Sequence, residues 1–226
     1  MTENKYKIKV EKLGCKIGQS ILFKDVSFKI KPGDSLIINW KDGLGKSTFM
    51  ETCAGLNSIY SGHVFWDGMN IQKIPREILM VLRSKTGYVF QKSALISNHT
   101  VFENIALPLR YHSEKSNAAI NKLVKETVEQ YGLSSIHHLL PELLTTSQSK
   151  IVSLARALIT EPEILFLDEP SSGLDHESFS FMKDKLLELY EKKTTTILML
   201  STSLSMIRNL KFPVARIENS RLIYIL

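Results

Sequence analysis

The stretch that most constrains this chain runs Asn39-Trp40-Lys41-Asp42-Gly43-Leu44-Gly45-Lys46-Ser47-Thr48, entered from Ser35-Leu36-Ile37-Ile38 and followed by residues that read as a helix. A short, nearly all-apolar run suits a strand covered on both faces. Strand, glycine loop and helix in that order aim the N–H groups of the loop and first helical turn at one point, which is how a phosphate group is cradled. In such a loop the lysine reaches the terminal phosphates and the serine hydroxyl holds magnesium. The candidate binding residues are therefore Asp42, Gly43, Leu44, Gly45, Lys46, Ser47 and Thr48.

Two residues disturb the pattern. Trp40 stands where the first glycine of G-x-x-x-x-G-K-[ST] belongs, and a residue with a Cβ enters a tight turn only at some cost. Asp42 sets a carboxylate near the phosphates, unfavourable by about 1 to 4 kcal/mol at contact, with Lys41 offsetting part of it. From this loop alone, a chance match in an unrelated turn remains open.

Along the rest of the chain, apolar and charged residues alternate over 6–13, and 21–30 and 63–66 are similarly strand-like, which predicts an antiparallel layer near the N-terminus. Residues 101–112, 117–131 and 149–160 read as helices, 164–167 and 196–200 as buried strands, and 178–192 as an amphipathic helix. The expected fold class is α/β: a mainly parallel core sheet, the antiparallel layer, and a helical insert at about 92–160 within one domain spanning 1–226. A chain of 226 residues suits one such domain.

The run Ile164-Leu165-Phe166-Leu167 ends in Asp168-Glu169-Pro170, then Ser171-Ser172-Gly173-Leu174-Asp175. An acidic pair closing an apolar strand can hold magnesium through its first member and orient an attacking water through its second. With these residues in place, the chain resembles the ATP-binding cassette proteins. "ILFLDEPSSGLD" is similar to their Walker B and D-loop, "GYVFQ" with Gln91 to their Q-loop, "DVSFKIKPGDSLII" to their approach to the phosphate loop, and "ARALITEP" to the segment after their signature. The resemblance implies a P-loop nucleotide-binding domain that takes ATP and Mg2+. Ser47, Gln91 and Asp168 would serve the metal, Gln91 and Asp168 would join the ATP site, and Glu169 would be the catalytic base. It also implies a head-to-tail dimer with ATP between one chain's phosphate loop and the other's signature, driving a membrane partner.

The departures from the family pattern bear on hydrolysis. Where the family has Leu-Ser-Gly-Gly-Gln, this chain has Leu144-Thr145-Thr146-Ser147-Gln148. Thr146 and Ser147 are expected to put side chains where bare backbone approaches the γ-phosphate, a loss of roughly 10²- to 10³-fold in rate by analogy with misplaced oxyanion donors. Thr202 occupies the place of the family's switch histidine, and a threonine cannot carry charge. Ile17 falls where an aromatic residue stacks on adenine. Binding of ATP is expected to survive; efficient hydrolysis does not follow.

Residues 90–112, "FQKSALISNHTVFENIALPLRYH", resemble the ATPase subunits of MCE-type (mammalian cell entry) lipid transporters, with the cell-division and lipoprotein-releasing cassettes as nearest rivals. Two readings stand: a weakly hydrolytic motor subunit of a lipid transporter, or a non-catalytic scaffold holding its complex together. Retained Glu169 favours the first; Trp40, Thr146, Ser147 and Thr202 favour the second. The implied partners are integral-membrane permease subunits, a second cassette subunit of like or unlike chain, and an MCE-domain lipid-binding protein, at the cytoplasmic face of the inner membrane.

The remaining features have plainer readings. The net charge of +6 is spread over lysines interleaved with Glu and apolar residues, which suits solvated faces, and no nucleic-acid partner is expected. Cys15 and Cys53 read as buried or half-buried thiols of a reducing compartment. Trp66, Met50, Met80 and Met182 are expected in packing. His137 and His138 would point apart on a helix or strand, which argues against a metal site.

Overall fold

The computed structural model describes residues 5–40, 45–218 and 221–225. In chain order the elements are β1 (Ile8–Ile17), β2 (Ser20–Ile30), β3 (Ser35–Asn39), α1 (Lys46–Cys53), β4 (Ser61–Trp66), β5 (Met69–Asn70), α2 (Arg76–Ser84), β6 (Thr86–Val89) and α3 (Val101–His112). They continue with α4 (Asn117–Gln130), α5 (Thr146–Leu158), β7 (Ile164–Asp168), α6 (His176–Lys192), β8 (Thr196–Leu200), α7 (Leu204–Leu210), β9 (Val214–Glu218) and β10 (Arg221–Ile225).

Two sheets result. An antiparallel one has the order β2-β1-β4-β5, and a six-stranded one has the order β10-β9-β3-β8-β7-β6. In the second sheet β9, β3, β8, β7 and β6 run parallel, with β10 antiparallel at the edge. The alternation seen in the first residues of β1 changes phase part-way: Ile8 and Val10 are buried, then Leu13 and Cys15. The switch is a bulge at Lys12, which has φ 47°, matched by Asp25 at φ 57° on β2, where burial passes from Phe23 to Val26, Phe28 and Ile30. A bulge adds one residue and so flips which parity faces the core.

The central strands β3, β7 and β8 of the six-stranded sheet are buried on both faces and divide their side chains between two cores. Leu36, Ile38, Phe166, Leu198 and Leu200 face the antiparallel layer and α1. Ile37, Leu165, Leu167, Ile197 and Met199 face the helices α3 to α6. Each such side chain, taken fully out of water, contributes about 1.5 to 3 kcal/mol. Lys7, itself buried, binds Asp67 at 2.7 Å and also Glu163, joining the antiparallel layer to the segment that enters β7.

Several expectations need correcting. Helix α5 starts at Thr146 and α6 at His176, earlier than the apolar period suggests, because Thr145 and Asp175 cap them: each side chain accepts from a backbone N–H three residues on. The elements α2, β6, α7, β9 and β10 were not anticipated as such. Met80 is 43% exposed on α2, unlike Met50 and Met182, which are fully buried. His137 and His138 lie in a turn, and their rings meet edge-to-face at 5.5 Å instead of diverging. Trp66 is buried beside Phe166, and its indole N–H donates to the Cys53 carbonyl at 3.1 Å. Both cysteines are buried free thiols.

Candidate nucleotide site

The carboxyl ends of four adjacent parallel strands converge on one edge. There β3 leads toward the glycine loop, β8 ends before Ser201 and Thr202, β7 ends at Asp168, and β6 ends two residues before Gln91. This edge is where open α/β sheets bind ligands. The register fixes the juxtaposition: Asp168 pairs with Leu200, and Val89 with Leu167. Asn39, buried at the end of β3, donates to the Ser201 carbonyl at 2.9 Å and ties the two strand ends together.

Helix α1 opens this edge. Gly45 is its N-cap with φ 104°, a left-handed conformation suited to glycine, and a Cβ there would meet Leu22 at 3.0 Å. Among the described residues no side chain caps α1, so its first N–H groups are free to meet an anion, with Lys46, Ser47 and Thr48 in that turn. Asp42, Gly43 and Leu44, together with Lys41, lie outside the described residues.

Trp40 does not occupy a strained turn. Its backbone is not left-handed, and its indole is 6% exposed. The ring packs edge-on against Phe23 and Phe49, both with centroids at 5.6 Å, while those two meet each other at 5.3 Å. Phe49 belongs to α1, so the residue in place of the glycine anchors the end of β3 to the inner face of that helix. The expected backbone cost at this position is replaced by a buried aromatic cluster, worth about 0.5 to 1.5 kcal/mol per ring pair beyond area burial.

Asp168 is 2% exposed, and its Oδ1 has no hydrogen-bond partner among the described residues. Burial, with help from the Glu169 and Glu51 carboxylates, pushes its pKa up; the Ser47 hydroxyl beside it and the Lys150 ammonium pull the other way. A buried carboxylate oxygen left without a partner, with a hydroxyl alongside, fits a hard divalent cation that takes oxygen ligands. When bound, Mg2+ would neutralise phosphate and carboxylate charge there; Ser47 and Asp168 would hold it, with Gln91 exposed at the end of the neighbouring strand.

Glu169 has φ 44° and is buried, and both its carboxylate oxygens accept from the Thr202 N–H at 3.0 Å. The Thr202 side chain is exposed. The side chain of Ile17 lies outside the described residues; its backbone ends β1 opposite Ser20.

The signature-like segment behaves differently from expectation. Thr145 and Gln148 spend their side chains on each other's backbone as a reciprocal cap of α5. Ser147 does not project outward. It is 6% exposed, and its hydroxyl accepts from the Asp175 N–H at 2.9 Å and donates to the Gly173 carbonyl at 3.4 Å. The inward turn follows from helix geometry: at the second helical position the side chain swings toward the segment capping α6, whose polar groups need partners. Thr146 stays exposed and covers Gly173, where a Cβ would come within 2.7 Å of the threonine methyl.

Two residues not singled out from sequence complete the region. Lys150 is fully buried and donates to the carbonyls of Phe90 at 3.1 Å and Gln91 at 2.5 Å. Burial pushes its pKa down to about 8, against the pull of Asp168 and Glu169. Arg156 donates to the carbonyls of Ser93 at 3.0 Å and Ala94 at 2.9 Å, both residues having left-handed backbone. The legible signal was helical spacing, since Ser147, Lys150, Leu154 and Ala157 fall on one face of α5 and all four are buried.

Comparison with known proteins places this geometry. The family model described as ABC transporter matches residues 23–172. The chain is 36% identical over 189 residues to the trimethylamine N-oxide transport system ATP-binding protein TmoW of Pelagibacter ubique, covering 83% of this chain and 54% of that protein. It is 32% identical over 200 residues to the methionine import ATP-binding protein MetN of Aliivibrio fischeri, covering 88% and 58%. It therefore spans a little over half the length of these curated relatives. Among solved structures it is similar to the ATP-binding cassette MJ0796 in a dimeric post-hydrolysis state bound to ADP and Pi, with TM-score 0.86 and 25% identity over 95% of this chain and 96% of the other. It is also similar to cbiO1 of Clostridium perfringens, part of the cbiONQ transporter complex, with TM-score 0.80 and 26% identity over 97% and 87%. With the glycine-capped phosphate helix, the acidic pair and the Gln91 strand meeting on one sheet edge, the chain belongs to the ABC transporter family and has the fold of its ATP-binding cassettes.

Proposed function

We propose that this chain is the ATP-binding subunit of an ABC transporter, one nucleotide-binding domain over 1–226 with a helical insert at about 92–160. It binds MgATP, turns it over slowly, and moves a membrane permease. The observation that carries this reading is the buried Asp168 oxygen, without a hydrogen-bond partner among the described residues, beside Ser47 at the start of α1. A chain that had abandoned the metal would gain by filling or neutralising that position, because an unsatisfied buried polar group is destabilising by about 1 to 3 kcal/mol.

A permease needs a docking place, and a groove of about 500 Å³ lies between α2, β6, α3 and α5, lined by Met80, Tyr88, Phe90, Pro108, Tyr111 and Arg156. Exposed Met80 on α2 and Tyr111 on α3 supply apolar surface to it, and α2 also exposes Ile78 and Val81. No helix of the described residues is long and apolar enough to cross a membrane, so the membrane-spanning part of the complex would come from elsewhere. We place the subunit at the cytoplasmic face of the inner membrane, paired with a second cassette. The lipid branch, with an MCE-domain partner, rests on the 90–112 pattern alone; the relatives described above are named for trimethylamine N-oxide transport and methionine import.

The scaffold reading is favoured by one specific observation: the side chain at 202 cannot titrate, and Glu169 is held only by backbone there. Turnover and nucleotide retention of the purified complex separate the two readings. Measurable turnover that Glu169→Gln abolishes supports the motor. Background turnover, with Glu169→Gln changing neither transport nor retention, leaves the scaffold.

A further inference from the structure

Resting on the nucleotide-binding reading above, we infer that Lys150 is a positioning residue for the metal end of the site: it fixes the backbone on both sides of Gln91 so that this side chain is presented beside Asp168.

The geometry is specific. The Nζ of Lys150 donates to the carbonyls of Phe90 and Gln91, which belong to the peptide groups immediately before and after the Gln91 Cα. Holding both peptide planes to one atom fixes φ and ψ at Gln91, and hence the direction of its Cα–Cβ bond. Two further carbonyls, of Ser93 and Ala94, are held by Arg156, farther along α5. The segment after β6 is thus suspended from one helix by two cations. In its first turn the same helix holds the segment before α6 through Ser147. A displacement of α5 therefore moves the Gln91 backbone and the 173–175 segment together.

A lysine without exposure is an unusual choice for bracing a loop, since a buried charge is unfavourable unless compensated. Here the compensation comes from the two backbone carbonyls that Lys150 reaches.

The test compares wild type, Lys150→Met, which keeps the stem and removes the donors, and Lys150→Gln, which keeps a neutral donor. Three quantities are read: the Mg2+ concentration that half-saturates ATP binding, ATP affinity in EDTA, and amide exchange at Ser93 and Ala94 in nucleotide-free protein. For Lys150→Met the expected results are a Mg2+ requirement raised at least about 10-fold, ATP affinity in EDTA within about 2-fold of wild type, and exchange at Ser93 and Ala94 faster by about 10-fold or more. Lys150→Gln should recover part of each, and it carries the test should Lys150→Met fail to fold. A folded Lys150→Met with wild-type Mg2+ dependence would overturn the inference. So would equal loss of ATP affinity with and without metal, which marks general damage to the site. Failure of the nucleotide reading itself shows separately, as wild-type protein without Mg2+-dependent ATP binding.

Discussion

Both carboxylate oxygens of Glu169 lie 3.0 Å from the backbone nitrogen of Thr202, and that N–H is what holds the catalytic candidate in place. The threonine hydroxyl takes no part. Thr202→Ala should therefore leave ATP affinity and turnover within about 2-fold of wild type, as an exposed substitution does. Thr202→His supplies a titratable group beside the acidic pair and should raise turnover by about 10-fold or more, read as phosphate release by the assembled complex.

Asp168 is buried, and its pKa is raised above the ordinary 3.8. The folded state thus keeps its proton to higher pH than the unfolded chain. Its contribution is fully present below about pH 3.8 and is lost as pH rises through the folded value, so at neutral pH the ionised carboxylate is a burden. Asp168→Asn should raise the thermal midpoint of the nucleotide-free protein by about 2 to 4 °C at pH 7, while removing its response to Mg2+. The difference between variant and wild type should shrink as pH is lowered toward 4.

Trp40 packs against Phe23 and Phe49. Restoring the family's glycine by Trp40→Gly should therefore lower stability by about 3 to 5 kcal/mol, a fall in melting temperature near 10 °C, through the cavity left behind. Thermal denaturation by circular dichroism checks this. An unchanged midpoint would mean that the aromatic cluster is not part of the core.

Much of the fold was legible because its strands are short apolar runs with sharp boundaries: 35–39 and 196–200 coincide with β3 and β8, and 101–112 with α3. The helix starts at Thr146 and His176 were misplaced because capping side chains, invisible to an apolar period, extend those helices toward the N-terminus. The phase change in β1 was hidden because a bulge at Lys12 is a tertiary adjustment to its partner strand. Ser47, Asp168, Glu169 and Gln91 could be proposed as site residues from the sequence because their chemistry depends on sequence order. The inward turn of Ser147 and the burial of Lys150 could not be read from it, since whether a serine turns inward or a lysine is buried depends on which carbonyls and N–H groups another segment brings to the helix face.

On the proposed reading, Lys46, Ser47 and the acidic pair still gather a magnesium-bound triphosphate. Calorimetric titration of ATP into wild type and Lys46→Ala, each with and without Mg2+, decides whether they do. The expected result is saturable binding to wild type that weakens when Mg2+ is removed, and an affinity roughly 10- to 100-fold lower for Lys46→Ala, the loss that follows from removing a charged hydrogen-bond donor to phosphate. Equal affinity in both proteins, or no binding to wild type at millimolar nucleotide, would contradict it.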